Sequence, residues 1–164
     1  MIELLVAIAS FIIIISIAVG GFSGVLRSQR QVIALLNANY NSSLILEQIV
    51  REIRTGRDFC INQTINCSPN QDMLAFTNAY NQNVVYKLHN GGIEKSIDGG
   101  INFRKITADD VDVEYLNFVL GGQNLGDNKQ TRITILMGIR SKESNISGSV
   151  INLQITVSPR ILDS

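Results

Sequence analysis

Met1-Ile2-Glu3-Leu4-Leu5-Val6-Ala7-Ile8-Ala9-Ser10-Phe11-Ile12-Ile13-Ile14-Ile15-Ser16-Ile17-Ala18-Val19-Gly20-Gly21-Phe22-Ser23-Gly24-Val25-Leu26 contains a single charge, and it sits three residues from the start. From Leu4 to Leu26 nothing is more polar than serine. A helix of about 23 residues at 1.5 Å per residue covers roughly 35 Å, enough to cross a hydrocarbon core of about 30 Å with some tilt. The segment therefore predicts a single membrane-spanning helix, and no second long apolar run follows it. Such a run exceeds the apolar stretch of a cleavable secretory signal and lacks its basic flank.

Working outward, the helical pattern continues past the membrane-length run. Val25, Val32, Leu36, Tyr40, Leu46, Val50 and Ile53 recur at spacings that predict one apolar stripe, widened by Ile33, Leu44 and Ile49. Glu47 and Arg51 form an i,i+4 pair, Arg51 and Arg54 suit the negative end of the helix dipole, and Gly56 is placed for a C-cap. Between Asn37 and Ser43 five polar residues compete for backbone hydrogen bonds, so a bend or frayed turn is an alternative to one helix of about 50 residues there.

After Gly56 the period changes to two. Segments 73–77, 84–88, 92–97, 111–120, 131–139 and 150–157 are short, rich in β-branched or aromatic residues, and separated by Gly, Asn and Asp. Asn90-Gly91 between two of them predicts a tight hairpin, because both residues accept positive φ. The expected fold class is α+β, a long N-terminal helix packed on a small antiparallel β-sheet head. Its parts are a membrane helix over 1–26, an amphipathic stem over 27–55 and a β head over 56–164, the stem covering the apolar face of the sheet.

The 164 residues carry 14 basic and 14 acidic side chains, scattered without a basic stripe, so no nucleic-acid partner is expected. Cys60 and Cys67 flank a polar, turn-prone loop and are too few for a closed zinc site. A disulfide closing that loop, the favoured reading, would stabilise by about 2 to 3 kcal/mol and place the head in an oxidising compartment; two buried thiols are the other reading. Asp110, Asp112 and Glu114 alternate with Val111, Val113 and Tyr115, which predicts a solvated strand face. The alternative is a calcium site completed by Asp109 or Asp127, although the loop spacing of a calcium motif is missing. His89, the only histidine, reads as a surface residue at a hairpin end. No nucleophile and base pair or phosphate-binding glycine loop suggests catalysis, and no cofactor is expected.

A carboxylate near the start, in the order Ile2, Glu3, Leu4, Leu5, Val6, Ala7, Ile8, resembles the mature N-terminus of type IV pilins and of type II secretion pseudopilins, whose stretch reads Phe-Thr-Leu-Ile-Glu-Leu-Leu-Val-Ala-Ile. The order of the head, ending in Leu153-Gln154-Ile155-Thr156-Val157-Ser158-Pro159-Arg160, is similar to the J-type minor pseudopilins and related minor pilins. The resemblance implies a structural filament subunit whose Glu3 pairs with the N-terminal ammonium of a neighbour. It implies other pilin-like subunits, an inner-membrane assembly platform, the lipid bilayer and a prepilin peptidase as partners. It also implies a bacterial inner-membrane location with an extracytoplasmic head, later a periplasmic or surface filament. A basic leader ending in Gly and two mature residues would precede Met1. That leader would reconcile the topology, since Arg27 and Arg30 alone, lying after the span, would draw the head inward. Gly20, Gly21 and Gly24 are ordinary membrane-helix glycines or points where a packed stem unwinds. Within the class a major pilin is the alternative; outside it, a non-polymerising membrane-tethered adhesin or sensor.

Overall fold

A computed structural model of the chain describes residues 2–59, 72–122, 130–142 and 150–160. The apolar run and the stem form one uninterrupted helix, α1 (Ile2–Thr55), 54 residues and about 80 Å long. No bend interrupts it at 37–43. There the polar side chains turn back onto the helix: Asn41 Nδ2 donates to the Asn37 carbonyl (3.0 Å), Ser42 to Ala38 (2.5 Å) and Ser43 to Asn39 (2.9 Å). The groups that would otherwise compete with the helix are absorbed by it. Ser10 and Ser16 bond the same way inside the apolar run, so neither of these hydroxyls needs water.

The head contains two antiparallel sheets where the sequence suggested one. β1 (Met73–Thr77), β2 (Asn83–His89), β3 (Gly92–Ser96) and the two-residue β4 (Arg104–Lys105) form the first in the order β1-β2-β3-β4. β5 (Val111–Gly121), β6 (Arg132–Ser141) and β7 (Ile151–Val157) form the second. One core joins both sheets to the upper stem, with Ile49, Ile53, Leu74, Tyr86, Ile93, Leu116, Phe118, Ile133 and Met137 all buried. α1 lies against β6 and β7. To the first sheet it adds a polar tie: Glu52 accepts from the Tyr86 hydroxyl at 2.8 Å and pairs with Lys95. Burial, reinforced by the Glu52 charge, pushes the Tyr86 phenol far above its ordinary range, so it remains a donor at any working pH.

Three glycines are held by close approach. Asn90 (φ 48°) and Gly91 (φ 67°) make the two-residue turn between β2 and β3, closed by the His89 and Gly92 pair, as the sequence predicts. The Gly91 carbonyl accepts from the Val113 N–H at 2.9 Å, joining the two sheets. Gly138 faces Tyr115 across the β5–β6 pair, and any Cβ there would overlap the tyrosine ring, whose hydroxyl donates to Asn152 of β7 at 2.7 Å. Gly56 does not take the left-handed cap conformation expected of it; its role is steric, since a Cβ would lie 2.6 Å from Phe76. Phe76 stands between Phe59 (centroids 5.3 Å apart) and Tyr86 (6.2 Å), closing the core beyond the helix end. The helix terminus is itself capped by the Arg160 N–H, which donates to the Arg54 carbonyl at 2.9 Å.

Asp98 organises the loop from β3 to β4. Its carboxylate accepts from the backbone N–H groups of Ile101 (3.1 Å) and Asn102 (2.9 Å), the Asn102 amide (2.6 Å) and the Ser96 hydroxyl (2.5 Å). These bonds, the Asn102 backbone N–H first, hold its pKa down at about 2 from the usual 3.8. A carboxylate depressed on folding adds stability above its unfolded pKa and loses it as pH falls through the folded value. The native head should therefore lose stability between about pH 4 and pH 2, and the Asp98→Asn variant should lose measurably less over that interval in urea melts. Parallel slopes for the two proteins would contradict this reading of the loop.

Candidate assembly surface

The stem carries two apolar faces, and the head takes only one of them. Facing the head are Ala34, Ala38, Ser42, Ile45, Ile49, Val50 and Ile53. The stripe expected from the sequence is thereby divided: Leu46, Val50 and Ile53 lie on the head side, while Val25, Val32, Leu36 and Tyr40, with Ile33 and Leu44, stay exposed. Leu36 is 60 % exposed and Tyr40 66 %, whereas Ala38 and Ser42 on the head-facing side are fully buried. The reason is steric. Small side chains let the helix backbone approach the sheet closely, so Ala and Ser take the inner positions and the larger residues face out.

At 100° per residue, residues 25, 32, 36 and 40 fall within one narrow sector of α1, nearly opposite residues 34, 38, 45 and 49. The outer stripe continues for about 27 Å beyond Leu26, past Arg27 and Arg30. A shallow apolar depression lined by Val25, Val32 and Ile33 lies at its lower end. Below it, none of the membrane-length part of α1 is covered by the head, and that helix is long and apolar enough to cross a bilayer. Glu3 stands exposed in the first turn, where the positive end of the helix dipole favours a carboxylate. Gly20, Gly21 and Gly24 are open, with no neighbour within 4 Å of a Cβ at any of them.

The other residues singled out in the sequence are not gathered near this surface. Cys60, Cys67 and Asp127 lie outside the described residues. His89 is exposed at the β2–β3 turn and bonds Asn90 at 3.1 Å. Asp112 and Glu114 do not present a bare acidic face. Arg140, opposite Asp112 on β6, donates from Nε (2.9 Å) and Nη2 (2.7 Å) to Asp112 Oδ2, and from Nη1 to Glu114 at 3.0 Å. The Asp112 bond holds the guanidinium pKa above its usual value. A register shift between Val113 and Tyr115 brings Glu114 within reach of the same arginine. Asp109 is taken by Lys105 at 2.5 Å, which lowers its pKa. Among the described residues no group of three or more His, Cys, Asp or Glu is assembled that could hold a metal ion.

Compared with models of protein families, with curated proteins and with solved structures, the chain matches none.

Proposed function

We propose that the chain is a structural subunit of a type IV pilus-like or type II secretion filament, a minor pilin or pseudopilin. It is held in a bacterial inner membrane by residues 4–26 with its head outside the cytoplasm, and is then drawn into a bundle of like stems. The observation that carries this reading is the outer stripe of α1. Val32, Ile33, Leu36, Tyr40 and Leu44 are exposed, lie beyond the membrane-length segment, and have no partner on their own head. A contiguous apolar patch of this kind marks an interaction surface. The head leaves it uncovered, and a neighbouring stem of the same pattern would cover it.

Glu3 supports the same reading. In a bilayer a carboxylate at the first turn can remain at the interface, but in a bundle of packed stems it needs a cationic partner, because an unpaired buried charge is very costly. The ammonium of an adjacent subunit supplies one. Glu3→Ala should leave membrane insertion and the fold of the head unchanged while lowering incorporation into filaments at least about tenfold, since removing one partner of a buried pair costs about 3 to 5 kcal/mol. Quantifying the subunit in sheared filaments against the membrane fraction measures this, and equal incorporation of wild type and variant would refute it.

A further inference from the structure

A second feature is independent of the stem stripe. A groove of about 740 Å³ is lined by Gln48 of α1 and, around β4, by Lys95, Ile97, Phe103, Arg104, Lys105 and Ile106. β4 is the last strand of its sheet. Because the Ile106 N–H donates to the Ile93 carbonyl, alternation along an antiparallel pair turns the backbone of Arg104 and Ile106 toward β3 and that of Lys105 outward. No described backbone group pairs with the Lys105 N–H or C=O. The sheet therefore ends in an open edge beside a groove.

The charges at that edge are unequal. Lys95 is held by Glu52, and Lys105 by the solvent-exposed Asp109. The Asp98 carboxylate in the lining is occupied by Ser96, Ile101 and Asn102. Arg104, paired with Lys95 across the strands and so on the same sheet face, is exposed and has no acidic partner among the described residues. One uncompensated guanidinium thus stands beside an unpaired strand edge, with Ile106 two residues along on the same face and Ile97 elsewhere in the groove lining. A polyanion would meet Asp98 and Asp109 as repulsion, whereas an extended peptide offers a backbone for the edge and one carboxylate for the arginine.

We propose that this groove is a β-augmentation site for an extended segment of another protein carrying an acidic side chain opposite Arg104 with an apolar side chain two positions along, opposite Ile106. The backbone of the segment pairs with Lys105, its carboxylate forks onto the Arg104 guanidinium, and its apolar neighbour on one side lies beside Ile106. This reading does not depend on the filament assignment, since the site is on the head.

The test uses the full chain in detergent micelles and a fluorescent blocked peptide, Thr-Val-Thr-Glu-Thr-Val-Thr, followed by anisotropy. Saturable binding is expected. It should weaken at least about tenfold when the peptide Glu is replaced by Lys, when the protein carries Arg104→Glu, or when the peptide amide facing Lys105 is N-methylated. The Lys peptide should regain affinity for the Arg104→Glu protein. Arg104 is exposed, so an unchanged melting temperature shows that the variant is folded. Absence of saturable binding, equal binding to Arg104→Glu, or displacement by inorganic phosphate at matched ionic strength would overturn the proposal.

Discussion

Leu36→Asp is expected to abolish filament incorporation while leaving the isolated subunit as stable as the parent. The side chain is 60 % exposed and touches nothing that the head needs, so in the monomer the new carboxylate stays hydrated and the change falls within about 0.5 kcal/mol. In a bundle of stems the same position would be enclosed by apolar neighbours, and an unpaired carboxylate there costs several kcal/mol. The loss should exceed tenfold in sheared filaments with unchanged amounts in the membrane. Ala38→Asp, two positions along the helix, should do the reverse. Ala38 is fully buried against the head, so the substitution unfolds or strongly destabilises the head before assembly becomes an issue. If Leu36→Asp subunits entered filaments normally, the outer stripe would not be the packing surface.

Gly91→Ala is the second large effect, and here the fold is at stake. Gly91 sits at φ 67°, where an alanine costs about 1 to 2 kcal/mol of backbone strain. Its Cβ would also overlap the Asp112 carboxylate, the group that anchors the Arg140 fork. Either the Asp112 carboxylate must swing away and loosen its fork with Arg140, or the β2–β3 turn must shift and strain its bond to Val113. We expect a loss of about 2 to 4 kcal/mol in urea melts of the protein in micelles. In an Asp112→Ser background the overlap is relieved and the penalty should shrink to roughly the strain alone, about 1 to 2 kcal/mol. A Gly91→Ala cost below about 0.5 kcal/mol would show that the turn is not held as described.

Local features of the chain are legible in its sequence. The membrane-length helix, the strands at 73–77, 92–96 and 151–157 and the Asn90-Gly91 turn follow from period, β-branching and turn chemistry, all of which act within a few residues. What local sequence does not disclose depends on partners far away in the chain. Nothing near Asp112 announces Arg140, 28 residues on, and the register that brings them together passes through an irregularity that strict alternation does not foresee. Two sheets were read as one because the break falls between β4 and β5, and β4 is only two residues long.

The stem was the instructive case. Apolar periodicity marks what water disfavours, and it does not say which neighbour removes the water. Val32, Leu36 and Tyr40 carried the stronger signal, yet Ala34, Ala38 and Ser42 meet the head because their size allows close packing. The stronger stripe was left for something else, and this is the physical content of the assembly proposal.

That proposal is tested most directly by placing a photo-crosslinking amino acid at position 36 and irradiating cells that express the chain at its native level. The account predicts adducts to stems of other subunits, at positions corresponding to Val25 to Leu44 of this chain or its counterpart, and their loss when Glu3→Ala is introduced. Adducts confined to lipid or to the chain's own head, with no intersubunit product, would contradict it.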